Sequence, residues 1–395
     1  MAWPWPAPRV YPVSIKIAVV HNAYRHRGGE DVVVDNEIRG LRNAGYAVYD
    51  ARTEAAGQWA SVWKAAQSPF ETRFEELLRR ERPDVLHVHN LFPTFSPRLF
   101  RTAHRIGIRT VLTLHNYRPL CLNGLFRIPS GEICERCAGG QFWHGIVRGC
   151  YGGSKILSMG MASHLKIALE RDWYGAVDAF IAPSAFLRDK FASYGFSPDR
   201  FEVQGHFLPD WPEDSATAAE PYVLFLGRLS EEKGISWLLE EFKHPRLPIQ
   251  LRIAGDGPLR TIVETASGND IKYLGPLSGA EKQSALRHAT ALVMSSECYE
   301  NFPLAVMEAN AAGTPALVSR LGGLTMMVAS GLNGESFGLK NENEFWDSLS
   351  KLASWGLNQR QRCQEYAREE FSSDRFIKRR SSIYNRILEA TSVSR

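Results

Sequence analysis

Short apolar runs alternate with longer segments of helical period along this chain, and the alternation occurs in two series. IKIAVV (15–20) has the unbroken apolar character of a buried strand. After the loop HNAYRHRGG comes a stretch in which Val34, Ile38 and Leu41 share one helical face; Gly45 closes it, and YAVYD begins a second strand. This is a βαβ unit. DVLHVH (84–89) and TVLTLH (110–115), separated by a helix-length segment, extend it into a parallel sheet. The second series begins at YVLFLGRL (222–229) and runs through a helix at 235–243, QLRIAG (250–255), IKYLG (271–275), ALVMSS (291–296) and PALVS (315–319). Between the two, LPDWPEDSATAAEP (208–221) has the prolines and small polar residues of a linker. The pattern predicts an α/β fold of two Rossmann-like domains facing a central cleft, over 15–207 and 222–372. An extension (1–14) precedes them and a helix (373–395) follows. The segment 361–391 is helical in composition and is expected to end the chain against one of the domains.

Composition narrows the function classes. At 395 residues, 44% hydrophobic and 23% charged, the chain has the make-up of a soluble globular protein of two domains. MAWPWPAPRVYP reads neither as a leader nor as an anchor, and no run approaches the roughly 18 apolar residues of a membrane span. A cytoplasmic location is expected, with peripheral contact at the inner face of a membrane. The net charge of +4 is unevenly shared: residues 1–205 hold 26 Lys and Arg against 19 Asp and Glu, the remainder 21 against 24. No acidic residue lies between Asp84 and Glu132, while Arg98, Arg101, Arg105, Arg109, Arg118 and Arg127 do. Such a basic face suits a phosphate-bearing acceptor or an anionic membrane surface, and equally a solvated helix face. Together with Trp59 and Trp63 it gives the expectation of an anionic or membrane-presented acceptor; no nucleic-acid partner is expected.

The stretch CYENFPLAVMEANAAGTP (298–315) carries the clearest chemistry. It follows the strand pattern ALVMSS, and Pro303 suits the first helical position, where a missing N–H costs nothing. The amides near Asn301, Phe302, Pro303 and Leu304 then form an anion site reinforced by the helix dipole. Glu300 precedes the helix and Glu308 lies over a turn inside it, so the two carboxylates are expected to meet different parts of one extended ligand. A nucleotide diphosphate sugar fits: diphosphate on the amides, ribose on one acid, hexose on the other. Arg228 and Lys233, just past a strand end, are two cations able to stabilise a departing diphosphate without a metal. The chain has no D-x-D with which to hold a divalent ion. Gly28 and Gly29 precede a helix start, where bare backbone can approach a phosphate or sugar. Cys121, Cys134, Cys137 and Cys150 form a set with twelve residues on either side of a C-x-x-C. They are a tetrahedral zinc set, free thiols or disulfides, the last disfavoured in a cytosolic protein.

ENFPLAVMEANAAGTP resembles the EX7E segment of retaining glycosyltransferases of the GT-B fold, the large family four. LGRLSEEKG (226–234) is similar to that family's G-R-L-x-x-x-K-G loop, and RIAGDGPLR (252–260) and YLGPLS (273–278) resemble further family segments. So do GGED (28–31), PDVLHVHNLFP (83–93), TLHNYRPLC (112–121) and APSAFLRDKF (182–191), in the family's order. The resemblance implies that Gly227, Arg228 and Lys233 meet the donor diphosphate, Glu308 the ribose, Glu300 the sugar, and the segment around Leu277 the base. His115 would sit at the reaction centre. The implied activity is metal-independent, retaining transfer of a hexose from a nucleotide diphosphate sugar, with uridine favoured by family frequency, to a glycan or lipid-linked acceptor, as in cell-surface polysaccharide synthesis. No cofactor is implied for catalysis; relatives with the HNYR segment carry similar cysteine insertions (here 121–150), implying a structural element beside the acceptor. Ser295, Cys298, His206 and Met326 depart from common family residues without removing a catalytic group. The rivals are a nucleotide-sugar 2-epimerase-like isomerase and a non-catalytic sugar-nucleotide-binding scaffold.

Overall fold

The computed structural model describes residues 15–23, 28–52, 69–92, 95–211 and 216–390. Both expected sheets form, each of six parallel strands. The first contains β1 (Lys16–His21), β2 (Ala47–Asp50), β3 (Val85–Asn90), β4 (Arg109–Thr113), β5 (Ala179–Ala182) and β6 (Phe201–Val203), in the order β2-β1-β3-β4-β5-β6. The second contains β7 (Tyr222–Leu226), β8 (Gln250–Ala254), β9 (Ile271–Gly275), β10 (Ala291–Met294), β11 (Ala316–Ser319) and β12 (Gly334–Phe337), in the order β12-β11-β10-β7-β8-β9. All six residues of β3 are buried. Helices cover both faces of a parallel sheet, so its strands read as continuous apolar runs. In each sheet the strand order reverses beside the first strand, between β1 and β3 and between β7 and β10. Ligands bind beyond the carboxyl ends of the strands at such points. A hollow lined by Pro221, Pro245, Gln250 and Asp270 lies at the opposite, amino ends of β7, β8 and β9, away from that position.

Two expectations are corrected. β4 ends at Thr113, so His115 lies in the loop beyond the strand. The helix in the acidic segment spans Leu304–Ala311, with Pro303 as its extended N-cap residue rather than its first helical residue. The last segment is helical as expected, in two helices, Leu357–Glu370 and Ser373–Glu389, the second where a helix was placed from 373. Phe371 ends the first by burying its ring, and the Ser372 hydroxyl accepts from the Arg375 amide to start the second. Residues Gln364 and Ala367 pack into the second half, whereas Phe376, Ile377, Ile383 and Ile387 join Ile17, Val19, Val34 and Ile38 in the core of the first. The chain therefore crosses back to the domain in which it began.

That returning helix brings a buried charge. Arg380 Nη1 lies 2.8 Å from Glu37 Oε1, both side chains 1% exposed. Glu37 also faces His87 Nδ1 at 3.2 Å, and His87 Nδ1 is 2.7 Å from the Tyr384 hydroxyl. Burial raises the Glu37 pKa, but Arg380 and His87 outweigh it and hold the carboxyl down at about 2.

The linker is packed where it is described: Leu208 and Ala216 are buried, and the Leu208 amide donates to Phe371 O at 3.1 Å. The acid-poor arginines find partners from elsewhere, Arg105 with Glu75, Arg109 with Asp178 and Arg127 with Glu297. Arg98 and Arg101 stand on the exposed face of the helix Arg98–Arg105. The extension 1–14, Trp59 and Trp63 lie outside the described residues.

Candidate active site

Loops at the carboxyl ends of the two sheets meet across the cleft. On the first side, His21 ends β1, and its Nε2 donates to Asp31 Oδ1 at 2.9 Å, while Asp31 Oδ2 accepts from the Gly28 amide at 2.7 Å. One carboxylate thus starts the helix Gly29–Asn43 and orients an imidazole. Among the described residues, a Cβ at Gly29 would meet nothing within 4 Å, and one at Gly28 only Asp31 Oδ2 at 3.9 Å, so packing against them does not demand glycine at either position. His89, in β3, has its Nδ1 3.0 Å from His115 Nε2. The His115 ring stacks on His206 at 5.5 Å, and His206 meets Phe302 edge-on at 5.6 Å. Burial lowers the pKa of His115, the Glu30 carboxylate only partly opposing it. Burial likewise takes His89 well below its usual value and His206 to about 3, with neighbouring imidazoles adding to both shifts. The three rings are neutral, stacked surfaces at pH 7.

The second side places charge. β7 leads through Gly227 and Arg228 to the turn Glu231–Lys233. Gly234 follows at φ +70°, and a Cβ there would fall 2.0 Å from Ser295 O, so the turn lies flat on the end of β10. Lys233 is thereby brought to Glu300, with which its Nζ forms an ion pair. Ser296 Oγ donates to the same carboxylate oxygen at 2.7 Å. Burial opposes the Lys233 charge, but Glu300 outweighs it and raises the pKa, so the ammonium persists. The Glu300 loop is fastened from behind by the Gly323 amide, which donates to Glu300 O at 2.7 Å. A Cβ on Gly323 would lie 2.3 Å from Asn301 O.

Contacts then cross the cleft. Asn301 Nδ2 donates to His115 O at 2.6 Å. Tyr299 donates its hydroxyl to Glu135 at 2.8 Å. Phe302 lies where a Cβ of Gly205 would stand 2.5 Å away.

The structure therefore gathers His115, Lys233, Glu300, Asn301 and Phe302 around the foot of the helix that Pro303 and Leu304 begin. Glu308 is one turn into that helix and binds Lys282 Nζ at 2.8 Å, separate from the Lys233 pair. Arg228 is exposed and has no carboxylate partner among the described residues. Leu277 is half-buried at the edge of the second core. Cys121, Cys134, Cys137 and Cys150 line one cavity as free thiols. Sequence reasoning missed His21, Asp31, His89 and Lys282. The alternation His87, Val88, His89 was a readable signal, since a strand buried on both faces has little reason to carry two imidazoles.

Two parallel sheets joined in this way, with the ligand-facing loops at their carboxyl ends, define the GT-B class of architecture. Residues 17–205 match the glycosyl transferase 4-like domain and residues 210–370 match glycosyl transferases group 1. The chain belongs to the GT-B glycosyltransferases of family four. It is 29% identical over 180 residues to an uncharacterized glycosyltransferase of Methanocaldococcus jannaschii, covering 43% of this chain and 46% of that one. It is 32% identical over 142 residues to a GDP-mannose-dependent alpha-mannosyltransferase of Corynebacterium glutamicum, covering 36% and 33%. These matches span less than half the length of either relative. The fold is also that of Anabaena HepE, solved in complex with UDP and glucose: TM-score 0.60, 13% identity, 96% of this chain and 100% of that one.

Proposed function

We propose that this protein is a metal-independent, retaining glycosyltransferase that moves a hexose from a uridine diphosphate sugar to a hydroxyl of a glycan or lipid-linked acceptor, in cell-surface polysaccharide synthesis. The observation that carries the reading is the Lys233–Glu300 pair at the start of the helix Leu304–Ala311, in a cleft whose opposite wall supplies His115. Lys233 is a held cation and Arg228 an uncommitted one. Together with the amides near Leu304 they suit the charge that develops on a leaving diphosphate. Glu300 accepts bonds from sugar hydroxyls, and Glu308 exchanges part of its Lys282 contact for the ribose diol. In a front-face displacement the acceptor oxygen bonds to the anomeric carbon on the side from which the diphosphate departs. The bond from that carbon to the β-phosphate oxygen breaks, and the acceptor proton passes to the phosphate. His115, neutral and stacked, shapes the sugar's side of the cleft and need not act as a base.

A membrane-presented acceptor is supported by apolar side chains left in solvent. Trp143 and Val147 on one helix, and Ile156 and Met159 on the helix packed against it, are all more than half exposed, beside Arg148 and Lys155. No described helix is long and apolar enough to cross a membrane. For the base, uridine is what HepE binds, whereas the corynebacterial relative uses guanosine. The test incubates purified protein with UDP- and GDP-hexoses, with and without a lipid-diphosphate glycan. A new glycoside with the donor's anomeric configuration, formed best from a UDP-sugar, is expected. Conversion of the donor alone into another nucleotide sugar would establish the epimerase instead, and donor binding without turnover on any acceptor would favour the scaffold.

A further inference from the structure

We propose that Cys121, Cys134, Cys137 and Cys150 bind one zinc ion, and that this ion holds the 121–150 insertion against the loop that presents Glu300. The second clause rests on the reading of the site given above; the first does not.

Four observations converge on the metal. The thiols come from three separate turns and line a single cavity, with Arg127, His144, Gly145 and Arg148 completing its wall. None is in a disulfide. Between Cys121 and the helix Trp143–Val147 the chain has only the single turn Ala138–Gly140 and an isolated bridge from Arg127 to Ile133. Loops of that length in compact domains are uncommon without something to tie them together. A Cβ at Gly145 would fall 3.0 Å from the Cys137 sulfur, so the helix Trp143–Val147 packs directly on that thiol.

Charge fits as well. Zinc with four thiolates is a dianion, and its formation from four thiols releases four protons. The cavity wall supplies two arginines, and Arg127 Nε is buried there without a hydrogen-bond partner among the described residues. Among the described residues, the set of His, Cys, Asp and Glu ligand atoms lying within 4.8 Å of one another is Glu37, His87 and His89, where Arg380 already neutralises the carboxylate. The four sulfurs ring their cavity more widely, so ligation draws them inward to Zn–S distances of about 2.3 Å. Tetrahedral sulfur coordination selects zinc or iron over magnesium or calcium, and zinc is the ion proposed.

The consequence for the site comes through Glu135, between Cys134 and Cys137. Its carboxylate accepts from Tyr299 at 2.8 Å, Tyr194 at 2.7 Å and Lys190 at 2.8 Å. Tyr299 is the neighbour of Glu300, and its ring also packs on Phe126 and Tyr117. Arg127 reaches Glu297 in the same loop at 3.5 Å. Fixing the cysteines therefore fixes the part of the first half that steadies Glu300.

Metal analysis of the full-length protein after gel filtration in chelator-free buffer is expected to return one zinc per chain. An organomercurial should release that zinc to a colorimetric chelator, and a chromogenic disulfide reagent should find the four thiols protected until it does. Cys137→Ser is expected to lose the zinc, and Cys363→Ser to retain it. Because Cys137→Ser can also misfold, Glu135→Ala provides the independent arm. It should keep its zinc while the KM for donor rises about tenfold, the scale of a lost hydrogen bond to a charged group. Substoichiometric metal with reactive thiols, iron in place of zinc, or resistance to alkylation without reductant, which reports disulfides, would each overturn the metal assignment without touching the transferase reading. Full zinc with an unchanged donor KM in Glu135→Ala would overturn the link to Glu300.

Discussion

Replacing Glu37 by Gln tests whether the carboxy-terminal helix is fastened by a buried ion pair. The change keeps the shape and removes the charge, leaving the Arg380 guanidinium 1% exposed with Gln204 and the His87 ring for company. Two routes give the magnitude. A carboxyl held at about 2 against an ordinary 4.5 corresponds to about 3 kcal/mol, at about 1.4 kcal/mol per pH unit. Breaking a buried pair by removing one partner typically costs about 3–5 kcal/mol. Taking the lower figure, Tm of the first domain should fall by about 6–12 °C in calorimetry. Amide exchange in the peptide covering Ser373–Glu389 should accelerate, because that helix carries Arg380. The pH dependence has a definite sign. A depressed carboxyl contributes its full stability above its unfolded value near 4.5 and loses it as pH falls toward about 2. The gap between parent and variant should therefore be constant above about pH 5 and close below it. The double variant Glu37→Gln with Arg380→Met should recover part of the loss, since no charge is then left buried. A single variant within about 1 °C of the parent, with unchanged exchange, would refute the reasoning.

Lys233→Ala removes a preorganised cation at the departing diphosphate and should lower kcat about a hundredfold, measured as nucleotide release in the presence of acceptor. Trp143→Ser combined with Ile156→Ser should weaken co-sedimentation with anionic vesicles at least about tenfold, because each apolar side chain withdrawn from water is worth about 1.5–3 kcal/mol; unchanged sedimentation would remove the membrane from the proposal. His89, His115 and His206 are all kept neutral by burial. The unfolded chain takes up their protons below about pH 6.5 while the folded chain does not, so stability should fall as pH drops from there, by up to about 1.4 kcal/mol per pH unit for each imidazole. Urea midpoints between pH 8 and pH 5 check this, and replacing His206 by Asn should flatten the slope.

What the sequence disclosed follows from where the information lies. β1 and β7 were legible because strands buried on both faces read as apolar runs, and β3 and β8 because apolar residues flank His87 and Arg252. β6 and β12 were not: Phe-Glu-Val is three residues, and Gly-Glu-Ser-Phe has no apolar run, so neighbours rather than composition make them strands. The acidic segment was legible as a local pattern of Glu300, Pro303 and Glu308. Its partner Lys233 lies 67 residues away, and the cross-cleft bond from Asn301 to His115 spans 186. Periodicity carries no such distances. The destination of the last helix was hidden for a related reason. Phe376, Ile377, Ile383 and Ile387 state which face is apolar, not which core receives it. Arg380 within that face was the unused clue, because a buried guanidinium requires a buried carboxylate, and Glu37 sits within the apolar face of the first helix.

The two edges of the cleft differ in how the chain connects them, and the difference bears on how it opens. At one edge Phe302 meets Gly205, His206 and Phe371, and the Leu208 amide donates to Phe371 O where both connections between the halves pass. This edge is aromatic, close-packed and crossed twice by the chain, and the returning helix is bolted to the first core by Glu37 and Arg380. At the other edge the halves meet through the polar bonds Tyr299 to Glu135, Arg127 to Glu297 and Asn301 to His115, and through the Tyr299 ring on Tyr117, Phe126 and Phe186. Partly exposed polar bonds contribute about 1 kcal/mol each and exchange readily for water. The edge crossed twice by the chain is therefore expected to be the axis and the other edge the moving lip. The residues assigned to the sugar and diphosphate, Glu300 and Lys233, lie just behind that lip, where donor binding can strengthen the polar bonds and keep water from the anomeric carbon.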